Sequence, residues 1–296
     1  MRNLYRLSDF SKEEIISVLN LARECKEGKH DDECKDKIVA NCFFEPSTRT
    51  QYSFNTAELK LGCKVISFNP TVSSLQKGES FYDTCKTFAS FGIDAMVIRH
   101  SENGYYNELK GHLNAKILNA GDGTMDHPTQ SLLDLMTIRA EFGGFEGLKI
   151  AIVGDVKYSR VEHTNIEVMT NLGMECYVSG PEEYREDSYN YIDFDKAIEE
   201  MEIIMLLRVQ HERHEEKMHM SLEEYHARYG LTMERVNRMK EKAIIMHPAP
   251  FNRGVEIADE VVECEKSRIF PQVTNGVYVR MAVLLRALGD TYDKLI

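Results

Sequence analysis

The sequence predicts an α/β protein of two doubly wound domains, each with a central parallel sheet flanked by helices. Three observations predict it. Eight short apolar runs recur along the chain, amphipathic stretches of helical period separate them, and 296 residues make about two domains of roughly 150 each. Such alternation places helices on both faces of a parallel sheet.

In chain order, "SKEEIISVLNLAREC" is an amphipathic helix near the start. Strands follow at 37–44 ("KIVANCFF"), 63–69 ("CKVISFN"), 93–99 ("IDAMVIR") and 115–120 ("AKILNA"). "TQSLLDLMTIRAEFGG" is a long helix that stops at Gly143–Gly144 and marks the border between domains. Beyond it, strands are expected at 148–155, 174–180, 202–208 and 243–248. The final "NGVYVRMAVLLRALGDTYDKLI" is a helix with no strand after it, expected to pack back on the first domain. The domains are therefore 1–135, completed by the C-terminal helix at about 275–296, and 136–274. The most polar region, 208–230, reads as an exposed loop or helix, and the chain has neither repeats nor low-complexity segments.

Against 36 basic side chains stand 48 acidic ones, and the net charge of −12 disfavours nonspecific attraction to nucleic acid. Anion binding would need locally concentrated positive groups. No apolar run reaches the ~20 residues of a membrane span, and the start lacks an apolar signal core, so the expected location is the cytoplasm. Seven cysteines without a C-x-x-C pair argue for reduced thiols over a disulfide framework or a zinc ribbon.

Ligands of doubly wound sheets bind at the carboxyl ends of the strands. After strand 37–44 comes "EPSTRT", and Phe54, Ala57 and Leu61 then recur at helical spacing. Ser47 is thus a candidate N-cap, with Thr48, Arg49 and Thr50 in the first turn, where backbone N–H groups, hydroxyls and a guanidinium make an anion cradle. On its own the motif reads equally as a capped helix with a solvated arginine. Arg99, Arg160 and Arg208 follow three further strands and argue for convergence. In "GDGTMDHPTQSLLDL", Pro128 suits the first helical position, putting His127 at the mouth of the turn and Gln130 in the first turn. A histidine there either caps its helix or donates to a polarised carbonyl oxygen.

Weaker features are set aside on spacing. "SSLQKGES" offers Ser73, Ser74 and Lys77 in a polar loop without Walker spacing, and "IVGDV" lacks the dinucleotide fingerprint. His211, His214 and His219 form no H-E-x-x-H and are read as solvated rather than metal-binding, and G-x-S-x-G is absent.

Together, "FFEPSTRT", "SLQKGES", "VIRH", "NAGDGTMDHPTQSLLDL", "VGDVKYSR", "RVQHER", "HPAPFNRGVEI" and "NGVYVRMAVLL" resemble the aspartate/ornithine carbamoyltransferase family over nearly the full chain. "RVQ" and "HPAP" point to its aspartate-using branch, since ornithine-using relatives typically carry "HCLP". The resemblance implies carbamoyl transfer from carbamoyl phosphate to the α-amine of L-aspartate, in de novo pyrimidine biosynthesis, with no metal or organic cofactor. It implies that Ser47, Thr48, Arg49, Thr50 and Arg99 hold the phosphate. Thr50, Arg99 and His127 would polarise the carbonyl, while Gln130 and the backbone around Ala249 and Pro250 hold the amino end. Arg160, Arg208 and Gln210 would bind aspartate, with Lys77 and either Ser73 or Ser74 reaching in from a neighbouring subunit of a homotrimer. Glu45 and Arg213 match residues that pair across the domains on closure. Separate regulatory chains are compatible with the resemblance; a membrane or nucleic-acid partner is not expected. One departure is Gln51, where the family commonly has another arginine.

Overall fold

The computed structural model describes residues 2–155, 160–185, 188–209 and 220–289, and of residues 160–163 the backbone alone. All eight predicted strands form, in two parallel sheets of four. The chain divides into two units, Met1–Met136 with Val273–Ile296, and Thr137–Gln272.

The first unit opens with α1 (Lys12–Lys26). Its start is fixed by a capping box in which Glu14 N–H donates to Ser11 Oγ at 3.2 Å and Ser11 N–H donates to the Glu14 carboxylate at 2.9 Å. Then come β1 (Ile38–Phe43), α2 (Thr48–Lys60), β2 (Lys64–Phe68), α3 (Phe81–Ser90), β3 (Ala95–His100) and β4 (Lys116–Asp122), with sheet order β2-β1-β3-β4. β1 and β3 are central, and Val39–Cys42 and Ala95–Ile98 are almost wholly buried, which is why they read as apolar runs, interrupted only by Asn41 in β1. β2, at the edge, is largely exposed. Phe54, Ala57 and Leu61, the predicted inner face of α2, are each fully buried.

α4 (Pro128–Phe142) begins in the first unit and ends in the second. The second unit continues with β5 (Lys149–Val153), α5 (Arg160–Asn171), β6 (Glu175–Ser179), α6 (Phe194–Glu200), β7 (Ile203–Leu206), α7 (Leu222–Tyr229), α8 (Met233–Arg238) and β8 (Ile244–Met246). Its sheet order is β6-β5-β7-β8, packed around Val153, Ile198, Ile204, Leu206 and Ile245. α9 (Ile269–Leu288) returns the chain to the first unit. Part of the polar region expected to be exposed is in fact anchored: α7 buries Tyr225 completely, beside Val209 and Val255. No helix among the described residues is long and apolar enough to cross a membrane.

In each sheet the second strand lies on one side of the first and the third on the other. The strand order therefore reverses between β1 and β3, and again between β5 and β7. Those crevices are where a parallel sheet receives ligands.

Candidate active site

At the first crevice, Phe44 N–H donates to Arg99 O at 2.9 Å, tying the exit of β1 to the exit of β3. Ser47 is the N-cap of α2, in extended conformation, and its side chain makes no cap hydrogen bond. Thr48 and Arg49 are exposed and Thr50 is buried, so the first turn presents its donors outward while anchored at one residue. Arg99 Nε donates to Glu45 Oε2 at 3.2 Å. Glu45, matched by the resemblance to a residue that pairs across the domains on closure, forms this ion pair with Arg99; Arg213, matched likewise, lies outside the described residues.

His127 reaches the same place from β4. The turn that carries it is organised by the buried Asp122 carboxylate, which accepts from Gly104 N–H at 2.7 Å, Asn119 Nδ2 at 3.1 Å and Asp126 N–H at 3.1 Å. His127 O accepts from Gln130 N–H and Ser131 N–H, so the histidine caps α4 through its backbone, with Pro128 as the first helical residue. Its ring is thereby spared for other contacts, and Nε2 lies 3.4 Å from Thr50 Oγ1. The N-termini of α2 and α4 thus meet, combining two positive helix ends. One turn into α4, Gln130 Nε2 donates to Asp134 Oδ1 at 3.0 Å.

The loop with Lys77 makes its described hydrogen bonds within itself. A 3-10 turn over Ser74–Lys77 leaves Ser74 and Lys77 exposed, and no described hydrogen bond or ion pair joins Lys77, Ser73 or Ser74 to Ser47–Thr50, Arg99 or His127. Ser73 Oγ donates to Pro70 O at 2.8 Å and accepts from Leu75 N–H, so it builds the loop.

In the second unit, β5 is followed by Gly154, where φ is +129° and an added Cβ would lie 3.1 Å from Leu207 O; only glycine suits that position. Arg208 follows β7 and is half-buried. α5 starts at Arg160, but the Arg160 side chain and Gln210 lie outside the described residues, as do His211, His214 and His219. After β8, Ala249 takes φ +54° and is followed by a cis bond to Pro250. The loop is held from inside: Ala249 N–H donates to His247 Nδ1 at 2.8 Å, His247 Nε2 is 3.5 Å from Glu256 Oε1, and Asn252 N–H donates to the same carboxylate.

Two family models cover the chain. The carbamoyl-P binding domain of aspartate/ornithine carbamoyltransferase matches residues 2–140, and the Asp/Orn binding domain matches 146–287. The chain belongs to the aspartate/ornithine carbamoyltransferase family. Among solved structures, the catalytic subunit of M. jannaschii aspartate transcarbamoylase is 34% identical with a TM-score of 0.87, over 98% of this chain and 99% of that one. Trypanosoma cruzi aspartate transcarbamoylase in complex with N-(phosphonacetyl)-L-aspartic acid is 28% identical with a TM-score of 0.88, over 96% and 94%. The same T. cruzi protein with carbamoyl phosphate and aspartate has a TM-score of 0.87 at 28% identity, over 96% and 95%.

Within this carbamoyltransferase, sequence reading missed the residues that hold the site rather than line it: Asp122 under the His127 turn, Asp134 behind Gln130, and Glu256 under Ala249. Of these, only Asp134 left a signal, its helical i, i+4 spacing from Gln130.

Proposed function

We propose that the chain is an aspartate carbamoyltransferase, converting carbamoyl phosphate and L-aspartate to N-carbamoyl-L-aspartate and phosphate. The observation that carries this reading is the 3.4 Å approach of Thr50 Oγ1 to His127 Nε2, which joins the anion cradle to a carbonyl-polarising group. The first turn of α2, with Ser47, Thr48, Arg49 and Thr50, and with Arg99 beside it, takes the phosphate. His127, Thr50 and Arg99 donate to the carbamoyl oxygen; Gln130 Oε1 and the backbone of Ala249 and Pro250 accept from its amino group. Arg160, Arg208 and Gln210 take the two carboxylates of aspartate.

Chemistry then needs little from the protein beyond positioning and oxyanion stabilisation. The neutral α-amine attacks the carbonyl carbon, the tetrahedral oxyanion collapses, and the C–O bond to phosphate breaks. The leaving phosphate carries off the bonding electrons and accepts the amine proton.

Lys77 completes the site of a neighbouring subunit in a homotrimer, a reading supported by its exposure and by the lack of any described hydrogen bond or ion pair from it to the cradle residues of its own chain. Because Ser73 is committed to its loop, Ser74 is the serine assigned to accompany it. The product of this reaction supports a role in de novo pyrimidine biosynthesis, and the proposed location is the cytoplasm, with or without separate regulatory chains. The aspartate assignment, against the ornithine branch, rests on "HPAP" and on the aspartate transcarbamoylase neighbours.

Assay of carbamoylated product and phosphate, with carbamoyl phosphate plus aspartate or ornithine in turn, tests the reading. Stoichiometric product with aspartate alone is expected. Product with ornithine alone would move the chain to the other branch, and none with either would leave an anion-binding relative without catalysis.

A further inference from the structure

Gln130 has its side-chain amide committed before any ligand arrives. Its Nε2–H donates to Asp134 Oδ1, and both side chains are buried, at 8% and 0% exposure. A carboxylate only accepts, so the reversed amide would set oxygen against oxygen. Oε1 is therefore the end left over, and it has no hydrogen-bond partner among the described residues. The Asp134 charge also acts on a buried cation, Arg280 of α9. Arg280 donates Nη1–H to Gly276 O at 3.0 Å and lies 5.2 Å over the ring of Phe54 in α2. Burial pushes its guanidinium down to about 9, and the Asp134 charge works against that. An added Cβ on Gly276 would sit 2.6 Å from Arg280 Nη1 and 3.1 Å from Leu133 Cδ2, so the glycine makes room for the arginine.

We infer that Asp134 is a specificity-determining positioning residue: by fixing Gln130 with its oxygen toward the donor substrate, it makes the site demand an N–H there. The inference rests on carbamoyl phosphate being the donor, as proposed above. Acetyl phosphate has a methyl group in place of the amino group, and its transfer follows the same balance. The C–N bond forms, the C–O bond to phosphate breaks, and phosphate leaves with the electron pair and the amine proton. A site built to pair with an N–H discriminates strongly against a substrate lacking it, because its own acceptor is left unpaired.

The test is the ratio of kcat/KM for carbamoyl phosphate to that for acetyl phosphate, with aspartate as acceptor, in the wild-type chain, Asp134→Leu, Asp134→Leu/Arg280→Met and Asp134→Asn. The double variant replaces the buried charges with apolar groups of similar size, which proteins often tolerate, and is read if the single variant does not fold. The ratio is expected to fall about tenfold or more in the leucine variants. Asp134→Asn, whose Oδ1 can still accept from Gln130, should stay closer to wild type. Competitive inhibition by inorganic phosphate, held at the other helix, should change less than about twofold, as one lost neutral contact would exceed that. A folded leucine variant whose ratio stays within about threefold of wild type overturns the inference, because loss of the paired N–H would move it further; so does an equal fall for both donors. No transfer by the wild-type chain would overturn the functional reading and this inference with it.

Discussion

His127 caps α4 with its carbonyl and offers Nε2 beside Thr50. Removing its ring leaves the helix start intact, because the cap is backbone. His127→Ala should therefore lower kcat by about 10²–10³-fold, the usual worth of one oxyanion donor, with little change in melting temperature. A steady-state kcat within about threefold of wild type would remove His127 from the carbonyl oxygen. That His127 and Thr50 belong together was legible in the sequence, because each lies in the first turn after a strand. The acids that hold them were not. Asp122 and Glu256 act through backbone N–H groups of their own turns, and a turn carboxylate looks the same whether solvated or buried. Ala249 at φ +54° is equally silent, since nothing in an alanine side chain announces a left-handed backbone.

α2 joins two opposite environments. Its first turn is an exposed cradle, and three turns later Glu58 is fully buried against β1, accepting from Asn41 Nδ2 at 2.7 Å. Burial pushes the Glu58 carboxyl from its ordinary 4.5 up to about 7, outweighing the Asn41 bond that favours the charged form. The folded chain then holds a proton that the unfolded chain has released, so this contribution to stability is full below pH ~4.5 and lost as pH rises through ~7. Glu58→Gln should match wild type near pH 4.5 and be more stable at pH 8, by up to about 3 kcal/mol, in urea unfolding at the two pH values. An unchanged difference would mean that Glu58 is charged in the fold. The elements themselves were legible because the central strands are buried on both faces and read as apolar runs, and because α4 opens on proline and stops at a glycine pair. α7 was not: its fully buried Tyr225 is one apolar anchor in a charged stretch, and burial there depends on Val209 and Val255, distant in sequence.

Across the whole molecule, a net charge of −12 coexists with arginines after strands in both units. On the proposed function both substrates are anions, so a single compound carrying a phosphonate and two carboxylates should bind in place of the pair. At about 100 times its Kd it should add about 2.7 kcal/mol. Scanning fluorimetry should then show a rise of roughly 5–10 °C in Tm, larger than phosphate and aspartate give together at the same concentrations. No excess over the separate ligands would mean that linking the two groups gains nothing in this chain. The sheet orders carry one more consequence. Numbered from its own first strand, each unit winds as second, first, third, fourth. The sequence shows no repeat that would announce it. One winding used twice thus supplies both crevices, and superposing the backbones of the two halves is the measurement that asks whether they share descent.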